Sequence, residues 1–299
     1  VGVVQANIDQ ARKWDAAYRR ETMNRYVRLT RQVAQDSDVV IWPEAATPFF
    51  FELEPDYRTQ VSALTRSHQV PLLLGSPTLR RFPDGRPYLL NSAYLLDPGG
   101  NIVGRYDKRH LVPFGEYIPL RSLLFFVEKL AEGIGDFEPG TGQTVLSLPD
   151  QEAGRSGAPA PRFGVVICYE VIYPDLVRQI VGHGADFMVT ITNDAWFGES
   201  TAPFQHFGMV VLRAVENRVA FARAANTGIS GFIDARGRIL HATPIFEEAS
   251  FTGHISALRS PTLYTEYGDV FSYACVIISA ILLLTAEINR SGRAQRKRY

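Results

Sequence analysis

The chain has 299 residues, 46% of them apolar and 21% charged, with 31 acidic and 31 basic side chains and therefore no net charge. That composition supports a sizeable globular core and offers no basic patch of the kind that nucleic-acid binding requires. The two cysteines, Cys168 and Cys275, sit in dissimilar contexts, which argues against a disulfide scaffold.

The first residues, Val1-Gly2-Val3-Val4-Gln5, read as an internal strand with no signal segment before it, so the chain is expected to be a fragment of a longer one. Further buried strands are expected at Val39–Trp42, Leu72–Gly75, Ser92–Leu96, Phe163–Ile167, Phe187–Thr192, Phe221–Ala225 and Gly231–Ile233, each a short apolar run bounded by turn residues. Between them lie stretches of helical period. Asp15–Gln35 brings Tyr18, Met23, Tyr26, Leu29 and Val33 near one face, and Tyr57–His68, Tyr173–Gly182 and Ala202–Asn217 read similarly. Strand–helix alternation with continuous apolar strands implies sheets covered by helices, an α/β sandwich. Asp97–Asn101 and Asp234–Arg238 have the composition of hairpin turns. Leu120–Leu130 is strongly apolar, and reads either as a core helix or as a lid that dips into lipid. Asp150–Pro161 reads as a polar surface loop.

Val270–Ala286 carries no charge over 17 residues, near the lower limit for a helix that crosses a bilayer. Tyr264, Tyr267 and Tyr273 cluster at its start, as in an interfacial aromatic belt, and Arg290, Arg293, Arg296, Lys297 and Arg298 follow its end. Dense basic residues beside a span mark the cytoplasmic side. The expected division is a catalytic domain over 1–262, a transmembrane helix over 268–287 and a basic cytoplasmic tail over 288–299, with the domain on the periplasmic side.

Three segments concentrate chemistry. Val39-Val40-Ile41-Trp42-Pro43-Glu44 ends an apolar strand in a carboxylate suited to a general base. Arg105–Glu116 packs Lys108 among aromatics and prolines, where an ammonium can stabilise a developing oxyanion. Phe163–Glu170 places Cys168 at the end of a strand and before a helix. There backbone N–H groups and the helix dipole are expected to lower its pKa. Taken singly, each residue has a plainer reading: a salt-bridged strand end, a solvated charge, an inert buried thiol. His110, His183, His206 and His241 lack ligand spacing and are read as structural.

Together, WPEAATP (Trp42–Pro48), YDKRHLVPFGEYIP (Tyr106–Pro119), ICYEVIYPD (Ile167–Asp175), TNDAWFG (Thr192–Gly198) and RAANTGISGFID (Arg223–Asp234) resemble the nitrilase superfamily. About sixty residues separate Glu44 from Lys108 and Lys108 from Cys168, in keeping with that pattern. Within the superfamily the resemblance is to the apolipoprotein N-acyltransferases, which also carry a terminal span behind a YGD segment (Tyr267–Asp269). It implies an αββα sandwich followed by one C-terminal transmembrane helix, with Glu44 as base, Lys108 as oxyanion stabiliser and Cys168 as nucleophile. Glu116, Tyr169, Glu170, Asn193 and Trp196 would support them, Tyr169 through its backbone N–H. The family's N-terminal transmembrane bundle has no counterpart in this chain.

The activity implied is transfer of a fatty acyl chain from a phospholipid, typically phosphatidylethanolamine, to the diacylglyceryl-cysteine amine of an apolipoprotein. It would run through a thioester at the bacterial inner membrane, without metal or cofactor. Two other readings use the same residues: an amidase hydrolysing a small C–N substrate, and a non-catalytic membrane-anchored binding domain. The span speaks against the first, and the joint presence of Glu44, Lys108 and Cys168 against the second.

Overall fold

The computed structural model describes residues 1–118, 137–142, 145–149, 159–257 and 260–296. The Leu120–Leu130 stretch and most of the 150–161 loop fall outside them. Twelve strands are present among the described residues: β1 (Gly2–Gln5), β2 (Val40–Ile41), β3 (Leu72–Arg81), β4 (Pro87–Leu96), β5 (Ile102–Asp107), β6 (Val145–Ser147), β7 (Arg162–Ile167), β8 (Phe187–Thr192), β9 (Phe221–Ala225), β10 (Gly231–Ile233), β11 (Ile239–Ala242) and β12 (Ala249–Thr252). The α-helices are α1 (Gln10–Lys13), α2 (Arg19–Val33), α3 (Pro55–His68), α4 (Pro174–Gly182), α5 (Ala202–Asn217), α6 (Leu263–Tyr267) and α7 (Val270–Arg296).

The strands form two six-stranded sheets, ordered β12-β1-β2-β3-β4-β5 and β11-β10-β9-β8-β7-β6. Each has a parallel centre (β1-β2-β3 and β7-β8-β9) flanked by antiparallel strands. The inner faces meet in one core, where Val3, Ile41, Leu73 and Leu95 oppose Val165, Ile167, Val189 and Ala222. On the outer faces α2 and α3 cover the first sheet, while α4 and α5 cover the second. The result is the αββα sandwich. A strand buried on both faces cannot alternate apolar with polar, which is why β7 and β8 read as largely apolar runs and β9 as one interrupted only by Arg223.

Two expected strands are longer than their apolar cores. Leu72–Gly75 and Ser92–Leu96 are the inner ends of a hairpin of two ten-residue strands, β3 and β4, in register from Leu72↔Leu96 to Arg81↔Pro87. Its outer half carries Arg80, Arg81 and Tyr88, so it leaves the core and looks like loop. Likewise β12 is partly exposed and gives no apolar run, although it closes the first sheet against β1.

Layer spacing depends on Gly164 in β7. A Cβ there would run into Ile180 of α4 and meet Met188 Sδ at 2.5 Å. Gly164→Val is expected to lower stability by about 1–3 kcal/mol through overpacking, read as a lower thermal midpoint. An unchanged midpoint would mean that α4 does not sit this close to β7.

Candidate active site

The parallel strands of both sheets point their C-terminal ends at one cavity of about 580 Å³, whose lining includes Glu44, Asn91, Lys108, Glu116, Cys168, Tyr169, Asn193, Trp196 and His206. Strand C-termini are where α/β folds place ligands, because the chain must turn there and leaves backbone groups free. Glu44 follows β2, Lys108 follows β5 directly, Cys168 follows β7 directly and Asn193 follows β8. Their convergence comes from topology, since residues far apart in sequence follow strands whose ends meet at this cavity.

Lys108 is buried at 1% exposure and lies between two carboxylates. Its Nζ donates to Glu116 at 2.9–3.0 Å and lies 3.5 Å from Glu44 Oε1. Burial opposes its charge, but Glu116, Glu44 and Cys168 outweigh that and hold its pKa above the usual lysine range. Asn91, in β4, bridges the same carboxylates, donating to Glu44 Oε1 at 2.7 Å and Glu116 Oε1 at 2.8 Å. The Asn193 backbone N–H fixes Glu44 Oε2 at 2.8 Å. Gly75 lets β3 approach, for a Cβ there would stand 2.7 Å from Glu44 Cα and 2.5 Å from Pro43 O.

Cys168 begins a five-residue 3₁₀ turn, Cys168–Ile172, rather than an α-helix. Its φ of 52° lies in the left-handed region, a strained conformation for a side chain with a Cβ. Ala45 (47°) and Phe114 (61°) share that conformation and line the same cavity. Strain of this kind persists only where surrounding structure over-determines it. Here the determinant is visible. His206 Nε2 lies 3.0 Å from the Cys168 carbonyl oxygen, and His206 Nδ1 lies 3.0 Å from Asp194 Oδ1. Asp194 also accepts from Thr192 at 2.8 Å and from Arg223 at 2.7 Å. Burial opposes the Asp194 charge, but Arg223 and His206 hold its pKa well below the usual carboxylate range.

The expected lowering of the Cys168 pKa does not occur. Burial pushes the thiol up to about 12, the Glu44 carboxylate adds to the rise, and Lys108 opposes it. A short 3₁₀ turn supplies too little dipole to offset complete desolvation.

Glu170 is not at the cavity. It is fully buried behind it, accepting from Tyr106 Oη (2.8 and 2.9 Å), Arg109 N (2.6 Å), His110 N (3.1 Å) and Ile167 N (2.7 Å). It thereby ties the Lys108 loop to the end of β7. Tyr169 packs edge-on to Tyr173, and Trp196 is 48% exposed at the cavity wall. Asn193 Nδ2 donates to Gln10 at 2.8 Å, and its Oδ1 accepts from Asn226 at 3.0 Å.

Several residues of this site escape sequence reading. His206 belongs to the Cys168 support, though its isolated position made it look merely structural. Asn91 lies inside a strand with nothing to mark it, and Arg223 opens the RAANTGISGFID segment without any sign of its partner Asp194. Lys13, 2% exposed, donates to the Glu44 carbonyl at 3.2 Å. Burial draws its pKa down to about 8 against the pull of Glu44 and Cys168. Among the described residues no His, Cys, Asp or Glu group forms a metal-ligating set.

The two facing sheets, with helices outside and an acid–lysine–thiol cluster at their strand ends, define a nitrilase-fold α/β protein. The chain belongs to the carbon-nitrogen hydrolase family, whose model matches residues 1–260. It is 46% identical over 96% of its length to a protein named apolipoprotein N-acyltransferase from Geobacter metallireducens, covering 53% of that protein. It is 35% identical over 97% of its length to one of the same name from Chlorobaculum tepidum, covering 57% of it. The chain thus spans about half the length of the curated relatives it matches. Among solved structures it resembles an amidase mutant from Nesterenkonia sp. AN1, with acrylamide added at that enzyme's active-site cysteine. The TM-score is 0.62 at 17% identity, covering 91% of this chain and 97% of the amidase. That likeness concerns the fold.

A thiol held near pKa 12 stays protonated at neutral pH and ionises only as pH rises toward that value. The difference in thiolate absorbance between the protein and Cys168→Ala is therefore expected to be absent through neutral pH. A thiolate signal at pH 7 would contradict the effect of burial and the Glu44 charge.

Proposed function

We propose that this chain carries the acyl-transfer site of an apolipoprotein N-acyltransferase. In this reading Glu44 is the general base, Lys108 the oxyanion stabiliser and Cys168 the nucleophile. The observation that carries it is a buried carboxylate–ammonium–thiol cluster facing an apolar-walled cavity, in a chain that shares 46% identity with a protein of that name.

Glu44 takes the Cys168 proton as the sulfur attacks the ester carbonyl of a phospholipid. The oxyanion is held by the Lys108 ammonium and the Tyr169 backbone N–H. Collapse expels the glycerol oxygen, which takes up the proton from Glu44, and a lysophospholipid departs to leave a thioester. The α-amine of a lipoprotein's diacylglyceryl-cysteine then attacks that thioester and Glu44 accepts its proton. Cys168 leaves as the thiol, giving ping-pong kinetics. Because the resting thiol is protonated, the base must act within the attack itself, which requires Glu44 to be fixed in place. Its three hydrogen-bond and ion-pair partners do this. Glu116 orients Lys108, Glu170 and Asn193 hold the strand ends, and Trp196 walls the cavity.

Phosphatidylethanolamine is the donor we assign. A substrate with long chains leaves a bilayer only at about 0.8 kcal/mol per exposed CH₂, so the enzyme must meet it there. Val270–Arg290 supports this. An 18-residue window of this helix has a mean hydropathy of 2.1, and none of that window is buried against the domain. At 1.5 Å per residue its 21 residues reach about 30 Å, the thickness of the hydrocarbon core. We assign residues 1–262 to the catalytic domain on the periplasmic face of the inner membrane, 268–287 to the span and 288–299 to a cytoplasmic tail.

Incubation with phosphatidylethanolamine is expected to add one fatty-acyl mass to the protein, removable by hydroxylamine and absent from Cys168→Ala. A folded protein with no adduct would turn the site toward small amide substrates. Lys108→Ala is expected to slow adduct formation by about 10²–10³, the loss typical of one oxyanion donor. An unchanged rate would remove its role.

A further inference from the structure

The helices that cover the sandwich differ in what they show to solvent. On α2, the exposed positions include Arg20, Glu21, Arg28 and Arg31, and on α3 they include Asp56, Arg58 and Arg66. On α5 no exposed residue is charged. Its outward face presents Phe204 (57% exposed), Leu212 (51%) and Val215 (49%), spaced so that all three lie within one stripe. Its inward face packs Phe207, Val210 and Ala214 on the second sheet and also holds the helix's buried polar groups, His206, Arg213 and Asn217. Trp196 and Phe197, also exposed, extend the apolar surface to the cavity mouth, where both are lining residues. An outward face with exposed apolar side chains and no exposed charge, leading to the cavity mouth, marks a docking surface.

What covers it is indicated by the root of α7. Thr262 Oγ1 donates to the Glu216 carbonyl at 2.6 Å, and Thr265 Oγ1 donates to Asn217 Oδ1 at 3.1 Å. Arg178 of α4 reaches the Thr265 carbonyl at 3.3 Å. Helix α6 is therefore pinned to the C-terminal end of α5, and α7 starts five residues after Thr265. Five residues span at most about 18 Å, and the 16 residues of α5 are about 24 Å long. The start of α7 therefore lies within about 18 Å of the C-terminal end of α5, the end that carries Leu212 and Val215.

We propose that the outward face of α5, with Phe204, Leu212 and Val215 and continued by Trp196 and Phe197, rests in the interfacial layer of the bilayer that α7 crosses. This rests on reading α7 as a span and deepens the proposed function. The cavity mouth then opens at lipid level, and an acyl chain enters along an apolar surface without crossing water. An amphipathic helix lying in the interface buries its apolar side at the boundary between headgroups and acyl chains.

The test is one of depth rather than activity. Spin labels at Phe204→Cys, Leu212→Cys and Val215→Cys, with Thr59→Cys on α3 as reference, would be placed in protein carrying Cys168→Ser and Cys275→Ala. The protein would be reconstituted in phosphatidylethanolamine–phosphatidylglycerol vesicles. At the three α5 positions, collisions with lipid-soluble oxygen are expected to exceed those with a water-soluble nickel chelate, and at Thr59 the order is expected to reverse. Nickel dominating at α5 would overturn the proposal. Shielding from both reagents would also overturn it, because a protein surface or a second copy of this chain would then cover the face. Thioester formation by the protein with Cys168 intact, together with α5 in water in the labelled protein, would remove this inference and leave the proposed function. Lipid at α5 with no thioester on the Cys168 protein would do the converse.

Discussion

One buried ammonium sets the terms for the rest of the site. Lys108 is removed from water between Glu44 and Glu116, and burying these charges would be prohibitive unless they met one another with good geometry. The fold provides that geometry by ending β2 and β5 at the same level. Asn91 then supplies a neutral donor that both carboxylates share, and Lys13 adds a second cation behind Glu44. With two carboxylates and two ammonium groups the cluster is neutral as drawn. An added thiolate would upset that balance, in agreement with the raised pKa of Cys168. Negative charge becomes tolerable there when it forms together with proton transfer to Glu44, as the proposed attack requires.

The thiol itself is placed by a second buried network that never touches the cavity's centre. Arg223 and Thr192 fix Asp194, Asp194 fixes His206, and His206 meets the Cys168 carbonyl. This holds a left-handed cysteine in a turn that would otherwise relax. Glu170 performs the corresponding service across the sandwich. By accepting from Tyr106, Arg109, His110 and Ile167 it joins the end of β5 in one sheet to the end of β7 in the other. The distance between Lys108 and Cys168 is therefore governed by a carboxylate that faces neither ligand nor solvent.

These networks also explain which residues could be read from the sequence. Glu44, Lys108 and Cys168 each end an apolar strand, so a local pattern announces them, and the strand ends of an α/β fold are where chemistry gathers. Buried strands β7, β8 and β9 and helix α2 are legible for the same reason, since continuous burial or a 3.6-residue period leaves its mark on composition. Asn91, Arg223 and His206 bear no such mark. Their partners stand 47, 29 and 38 residues away, and each pairing exists only because the strands and helices that carry them have come together. The outer half of the β3–β4 hairpin and the strands β11 and β12 were hidden for the opposite reason, because exposed strands need no apolar pattern to pair. The raised thiol pKa was illegible because desolvation is a property of the assembled site, whereas the helix dipole can be argued from local sequence.

The arrangement bears on why an acyl-enzyme here would pass its chain to an amine rather than to water. A thioester on Cys168 would sit beneath Phe114, Phe137, Tyr169, Ile172 and Trp196, with an acyl chain filling the apolar part of the cavity. Water entering such a space gives up hydrogen bonds that apolar walls cannot replace. An incoming lipid-modified amine brings its own apolar surface and refills the space left by the departing lysophospholipid. In the proposed reading Glu44, held by Asn91 and the Asn193 backbone, would accept its proton. On this account the choice between transfer and hydrolysis lies in the walls rather than in the three reacting residues. That is how one αββα frame can serve amidases and, in the proposed reading, a membrane acyltransferase with the same chemistry at sulfur.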